Sequence, residues 1–154
     1  MAQVMPEGPG GVQPANARIQ EATLFELHPN LARDCFEVTD WPLCRVLLVN
    51  DTRFPWVILV PRREALRDFD EVEAEDKPLF YSEIEQATER LRQATRAEKM
   101  NVAALGNAVP QLHVHVIARF AGDEAWPGPV WGVGEAVPYE DEQAQALMMQ
   151  LRDV

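Results

Sequence analysis

The segment Pro110–Arg119, PQLHVHVIAR, holds two of the chain's three histidines, two residues apart, with a glutamine two residues before the first. Side chains along a strand alternate between faces. Leu112, Val114 and Val116 therefore point one way, toward a core, and Gln111, His113 and His115 point the other way together. A slip of one residue would bury the imidazoles and expose the valines, so the register is strongly specified. Imidazole titrates near neutrality and can act as base, nucleophile or ligand. Three kinds of chemistry fit the spacing. The histidines could simply make hydrogen bonds at a strand surface. They could supply two ligands to a metal, but zinc wants a third protein ligand. The remaining histidine, His28, and the two cysteines, Cys35 and Cys44, lie far away in sequence. No ligand spacing supports a metal, and no other cofactor is expected. The third reading is nucleophilic or acid–base catalysis on a phosphate ester.

A rigid strand must hold these residues, and the surrounding sequence supplies one. Cys44–Asn50 (CRVLLVN) and Trp56–Pro61 (WVILVP) are apolar and β-rich, and the linker DTRFP makes them a hairpin. Their near-continuous apolar content predicts strands covered on both faces. A long helix follows, with Phe80, Ile84, Ala87, Leu91 and Ala94 on one stripe and Glu83, Glu85, Glu89 and Arg92 among the polar positions. Asp76 is its expected N-cap, with Pro78 in the first turn. The acidic run Asp68–Asp76 favours that helix end and otherwise reads as solvated surface. Met100–Asn107 reads as a strand ending in a turn, Leu112–Phe120 as the next strand, and the segment from Asp141 (DEQAQALMMQLRD) as a C-terminal helix. Ala22–Asp34 reads as a short helix or two helical turns, interrupted by Pro29. The expected fold class is α+β, an antiparallel sheet of about five strands with a long and a shorter helix packed on it.

QLHVHVI, in these surroundings, resembles the signature of the histidine triad (HIT) superfamily, His-φ-His-φ-His-φ-φ with φ apolar. The order of elements before it is similar too, and the resemblance covers roughly residues 20–120. Gln111 stands where the family usually has its first histidine. The resemblance implies that His113 is the nucleophile and that His115 contacts the phosphate. It implies two displacements: attack of His113 on the α-phosphorus of a nucleoside phosphoramidate or dinucleoside polyphosphate, then release of the covalent nucleotidyl-histidine by water. Gln111 is a candidate to bind the phosphate or orient the leaving oxygen by hydrogen bonds, but it cannot carry a positive charge, so leaving-group handling is in question. A nucleotide-binding protein with little turnover is the alternative. Gly106 and Asn107 are further phosphate-binding candidates, because glycine lets a backbone approach an anion. Gly106 reads equally as a turn residue. VNDTRFPW resembles the family segment that holds the ribose, placing Asp51, or Asn50, on its hydroxyls. Asn-Asp also favours turns in its own right. Trp126 and Trp131 could cover the ligand or anchor their loop. Arg119 is split between a phosphate-facing role and a surface ion pair, and Arg62 and Arg63 read as solvated. The resemblance also implies a homodimer.

Length and composition bound these readings. The chain has 154 residues, enough for one domain with a core. Residues 1–17, rich in Pro, Gly, Ala and Asn, read as a disordered tail and 18–154 as a single domain. A formal net charge of −11 argues against sequence-independent nucleic-acid binding, but leaves room for a small nucleotide ligand. No apolar run approaches the roughly 20 residues that span a bilayer, and the N-terminus lacks the pattern of a secretory signal. Two cysteines make no disulfide framework. A cytoplasmic location, with neither membrane nor nucleic acid as partner, is expected.

Overall fold

The computed structural model of the chain describes residues 24–152. The stretch expected as a tail, 1–17, lies outside them. Five antiparallel strands form one sheet: β1 (Cys35–Asp40), β2 (Cys44–Val49), β3 (Trp56–Pro61), β4 (Lys99–Ala103) and β5 (Val114–Arg119). Their order is β1-β2-β3-β5-β4. Helices α1 (Pro29–Asp34), α2 (Lys77–Thr95) and α3 (Asp141–Leu151) complete the α+β fold expected from the sequence. Among the described residues, no helix is long and apolar enough to cross a membrane.

The apolar hairpin β2–β3 pairs Leu47 with Ile58 and Leu48 with Val57. β3 pairs in turn with β5, Ile58 opposite His115. Alternation then sorts the side chains. Val46, Leu48, Val57, Leu59, Val114, Val116 and Ala118 enter the main core with Phe80, Ala87 and Leu91 of α2 and Met148 and Leu151 of α3. Leu47, Ile58 and Val60 face the other way and are covered by Leu31 and by the half-buried Phe25, Leu27 and Val109. Both sides of the central strands are therefore sealed, as their unbroken apolar runs require. The histidines of the 111–115 segment belong to the second side.

Several local expectations are corrected. Of the described part of the segment from Ala22, residues 24–34, only the end is helical, because α1 starts at Pro29. Proline opens this helix rather than interrupting it, since its missing N–H would have no partner at the first helical position anyway. β1 had no expected counterpart. Its register shifts between Glu37 and Thr39, so an irregularity breaks the clean period of two in a short polar run. Glu83, expected among the solvated positions of α2, is buried. Its carboxylate accepts from the backbone N–H groups of Leu43 (3.0 Å) and Cys44 (2.7 Å). These lie where β2 begins, and the helix carboxylate satisfies donors that the sheet leaves open. Burial raises its pKa, only partly offset by those donors. Asp76 occupies the N-cap position, yet its side chain makes no cap bond; it grips Arg63 at 2.8 and 3.0 Å. Arg62 donates to the carbonyls of Trp41 and Pro42. Neither arginine is merely solvated: each ties the chain leaving β3 to a neighbouring segment.

Candidate active site

His113 immediately precedes β5 and His115 lies within it. Both imidazoles are on the face away from α2, as alternation requires, with ring centroids 4.8 Å apart. Each residue is only 6 % exposed, so the polar side of the strand is not an open surface. Trp56 and Trp131 wall it in. The Trp131 ring stands edge-on to His115 at 5.1 Å and to Trp56 at 6.0 Å. Further along the same face, Ile117 packs with Phe54 and Val130.

The hydrogen bonds give the two rings different jobs. His113 Nδ1 lies 2.7 Å from the backbone carbonyl of Gln111. A carbonyl oxygen has no proton, so Nδ1 carries the hydrogen and the lone pair is on Nε2. Burial lowers the pKa of this ring, the Gln111 carbonyl opposes that, and the nearby His28 lowers it further. His113 thus presents a neutral, unprotonated Nε2, the form required of a nucleophile. His115 is set the opposite way. The indole N–H of Trp56, which can only donate, reaches His115 Nδ1 at 3.0 Å. Burial, and secondarily the neighbouring His113, pushes the pKa of His115 down to about 3. Its single proton therefore sits on Nε2 and is available to an acceptor. A lone pair and an N–H, side by side in an apolar enclosure, can attack an electrophile and hold its oxygen. Trp131 Nε1–H is also buried with no hydrogen-bond partner among the described residues, a second donor in addition to His115 Nε2–H.

The family model for the HIT domain matches residues 31–122, which is well over half the chain. This chain belongs to the HIT family. It is similar to a histidine triad protein from Sinorhizobium meliloti 1021, with 43 % identity over 84 % of this chain and 96 % of that one, and a TM-score of 0.83. A histidine triad protein from Marinobacter aquaeolei VT8 is 46 % identical over 83 % of this chain and 93 % of that one, with a TM-score of 0.80. One from Bradyrhizobium japonicum is 39 % identical over 82 % and 95 %, with a TM-score of 0.81. No curated protein matches the chain.

In this HIT protein, Gln111 does not point its amide at the histidine pair. Its Oε1 accepts from the backbone N–H of His28 at 2.8 Å and its Nε2 donates to the carbonyl of Glu26 at 2.9 Å. Expected to bind phosphate, the amide instead fastens the segment ahead of α1, because its parallel donor and acceptor match a backbone N–H and C=O two residues apart. That contact brings His28, the third histidine, to the segment that carries His113, near enough for its charge to lower the pKa of that ring, a proximity the sequence distance concealed. Among the described residues, no group of three or more His, Cys, Asp or Glu side chains is placed to hold a metal.

The structure places the two ribose candidates at the far end of β2. Asp51 is 2 % exposed. Its carboxylate takes Arg53 Nε at 3.0 Å and Nη2 at 2.8 Å, as well as the Val137 N–H. Burial raises its pKa, and the Arg53 side chain and backbone donors outweigh that, leaving it below the usual carboxylate range. Asn50 accepts from the Tyr139 N–H at 2.8 Å. Arg53, which the sequence did not single out, is the hub here, bonding also to Glu124 and to the Val133 carbonyl. Gly106 has φ +71°, the left-handed region that favours glycine, and Asn107 beside it is exposed. Among the described residues, no hydrogen bond links Gly106 or Asn107 to the histidines.

Arg119 is neither phosphate-facing nor on the surface. It is 1 % exposed and forks onto Asp123 through Nε at 2.8 Å and Nη2 at 3.0 Å, with the Gly128 carbonyl also on Nη2 and Asn101 Oδ1 on Nη1. Trp126 lies over this guanidinium at 5.7 Å and remains partly exposed, while Trp131 is the loop tryptophan that reaches His115.

The depressed histidine pKa values set a pH dependence. In the unfolded chain both rings titrate near 6.5, whereas in the fold they stay neutral to lower pH. Protons thus favour the unfolded state below pH 6.5. Stability from this source is complete above 6.5 and is lost as pH falls toward about 3, the value for His115. Each ring contributes a slope of at most about 1.4 kcal/mol per pH unit. Melts from pH 7 to 4.5 should show a falling Tm, with a shallower slope in His115→Asn. An identical slope in the variant would reject burial of a neutral His115.

Proposed function

We propose that the protein hydrolyses nucleotides at the α-phosphorus through a covalent nucleotidyl-histidine on His113. The observation that carries this is the Gln111 carbonyl on His113 Nδ1, which leaves the Nε2 lone pair free. That nitrogen attacks phosphorus, the leaving group departs with the bonding electrons, and water then displaces the histidine. His115 Nε2–H and Trp131 Nε1–H supply donors for the phosphate oxygens, whose charge grows in the transition state. The substrate class is a nucleoside phosphoramidate or a dinucleoside polyphosphate. The second reading, nucleotide binding with little turnover, is favoured by Gln111 at the first triad position, since an amide cannot protonate a leaving group. The deciding experiment incubates the protein with both substrate types, with and without chelator, followed by acid quench and mass spectrometry. Nucleoside monophosphate together with a nucleotidyl adduct on His113, insensitive to chelator, is the expected result. Tight nucleotide binding with neither product nor adduct would leave the second reading.

Asp51 is proposed to take the ribose hydroxyls. Its Oδ2 accepts only from Arg53, so lone-pair capacity remains for a hydroxyl donor. Asp51→Asn keeps the shape but weakens the acceptor. It should reduce the preference for ribo- over dideoxy-substrates by about 1.5–3 kcal/mol for each bond to the charged group, read as a ratio of kcat/KM values. Unchanged discrimination would move the role to Asn50 or remove it.

A further inference from the structure

A cavity of about 570 Å³ opens beside Gln111, on the side away from the Asp51 turn. Its size is within the range of small-molecule sites. His28, Ala65, Arg67, Pro110 and Gln111 are among its lining residues. Both rims are tied to the triad segment. The Leu112 N–H bonds to the Leu66 carbonyl at 2.9 Å on one side, and the Gln111 amide holds Glu26 and His28 on the other. Ala65 adopts φ +56°, left-handed for a residue with a Cβ. This backbone conformation persists only when its surroundings over-determine it. Arg67 makes no ion pair with any described residue. His28 Nδ1 accepts from the Asn30 N–H at 3.1 Å. An accepting Nδ1 means a neutral ring with its hydrogen on Nε2, and no described residue takes that hydrogen.

We infer that His28 supplies the imidazole missing from the first triad position, and that its Nε2–H and Arg67 together receive an anionic leaving group in this cavity. The inference rests on His113 as nucleophile. His113 Nε2 forms a bond to the α-phosphorus, the bond from phosphorus to the leaving oxygen breaks, and its electron pair stays on that oxygen. No proton is transferred in this step. The Gln111 amide has none to give, and His28 with Nδ1 accepting is a hydrogen-bond donor rather than an acid. Glu26 meets Gln111 through its backbone carbonyl, and its side chain is exposed. Such a site suits a leaving group that departs as an anion, a phosphate or polyphosphate chain, and disfavours amines, which need a proton. His28 and Arg67 are specificity-determining residues for that group, absent from the motif and supplied by two loops.

The test compares a dinucleoside tetraphosphate with the corresponding nucleoside 5′-phosphofluoridate, whose fluoride is too small to span the cavity. His28→Asn retains an oxygen to accept the Asn30 N–H, and Arg67→Ala removes an exposed side chain. Each should lower the ratio of kcat/KM, tetraphosphate over fluoridate, by about tenfold, as for one lost hydrogen bond to a charged group. An unmoved ratio, including an equal fall for both substrates, would overturn the inference. Calorimetry with inorganic tripolyphosphate gives a readout independent of turnover. Wild type and His113→Ala should bind it alike, and the two cavity variants at least about fivefold more weakly. Equal affinity in all four proteins overturns the leaving-group site. Loss of affinity in the cavity variants, in a wild-type protein that turns over neither substrate, overturns only the nucleophile reading.

Discussion

His113→Ala is expected to lower kcat/KM by at least about a thousandfold, because the nucleophile itself is removed and the remaining donors can only bind. The nucleotidyl adduct should vanish from acid-quenched samples. The fold should survive. His113 sits just before β5 rather than in its paired centre, and its departure leaves one half-buried carbonyl, that of Gln111, without the imidazole it bonds. That costs about 1–3 kcal/mol, a drop in Tm of a few degrees for a domain of this size. Steady-state rates and a thermal melt on the same preparation separate the two effects. A variant that keeps its Tm and a tenth of wild-type activity would move the nucleophile elsewhere, with His115 excluded by the Trp56 bond only if its Nδ1 still accepts.

Arg119→Ala should have the largest effect on stability. The guanidinium is buried against Asp123 on Nε and Nη2, with Gly128 also on Nη2 and Asn101 on Nη1. Removing one member of a buried pair leaves the other charged and uncompensated, at about 3–5 kcal/mol. The corresponding fall in Tm is of order 10 °C. The Asp123 carboxyl, held at about 2 chiefly by Arg119, should titrate higher in the variant, which NMR of its side chain would read. Because the Gly128 carbonyl and the Asp123 turn are both anchored here, the 123–131 loop that brings Trp131 to His115 should loosen as well. A loss below about 1 kcal/mol would show that water replaces the guanidinium without cost.

The sequence exposed those features that depend on period. Leu112, Val114 and Val116 against His113 and His115 defined two faces before any contact was known, and the stripe from Phe80 to Leu91 placed α2. The hairpin was legible because β2 and β3 are apolar throughout. What escaped was set by long-range pairing. Glu83 occupies a helical position like its neighbours, and only the open N–H groups of Leu43 and Cys44, forty residues away, draw it inward. β1 is short, polar and irregular in register, so alternation gives little signal. Arg119 continues the two-residue rhythm of His113 and His115, but its burial depends on Asp123 four residues on. At the site, the motif pointed to both imidazoles, whereas the lining partners Trp56 and Arg53 carry no local spacing. The Gln111 amide is the sharpest case. Its neighbour in space, His28, is separated by 83 residues, and no window of sequence contains both.

The Gln111 clamp also constrains which amino-acid replacements the chain can accept, and in what order. An amide presents a donor and an acceptor side by side, whereas the two nitrogens of an imidazole diverge. A single exchange of Gln111 for His would therefore unfasten Glu26 and His28 and carry a penalty. The same exchange could be neutral in a chain whose segment ahead of α1 had already found another anchor. The glutamine is thus held by its context: what opposes another residue at 111 is not the strand but the dependence of the segment ahead of α1 on the amide.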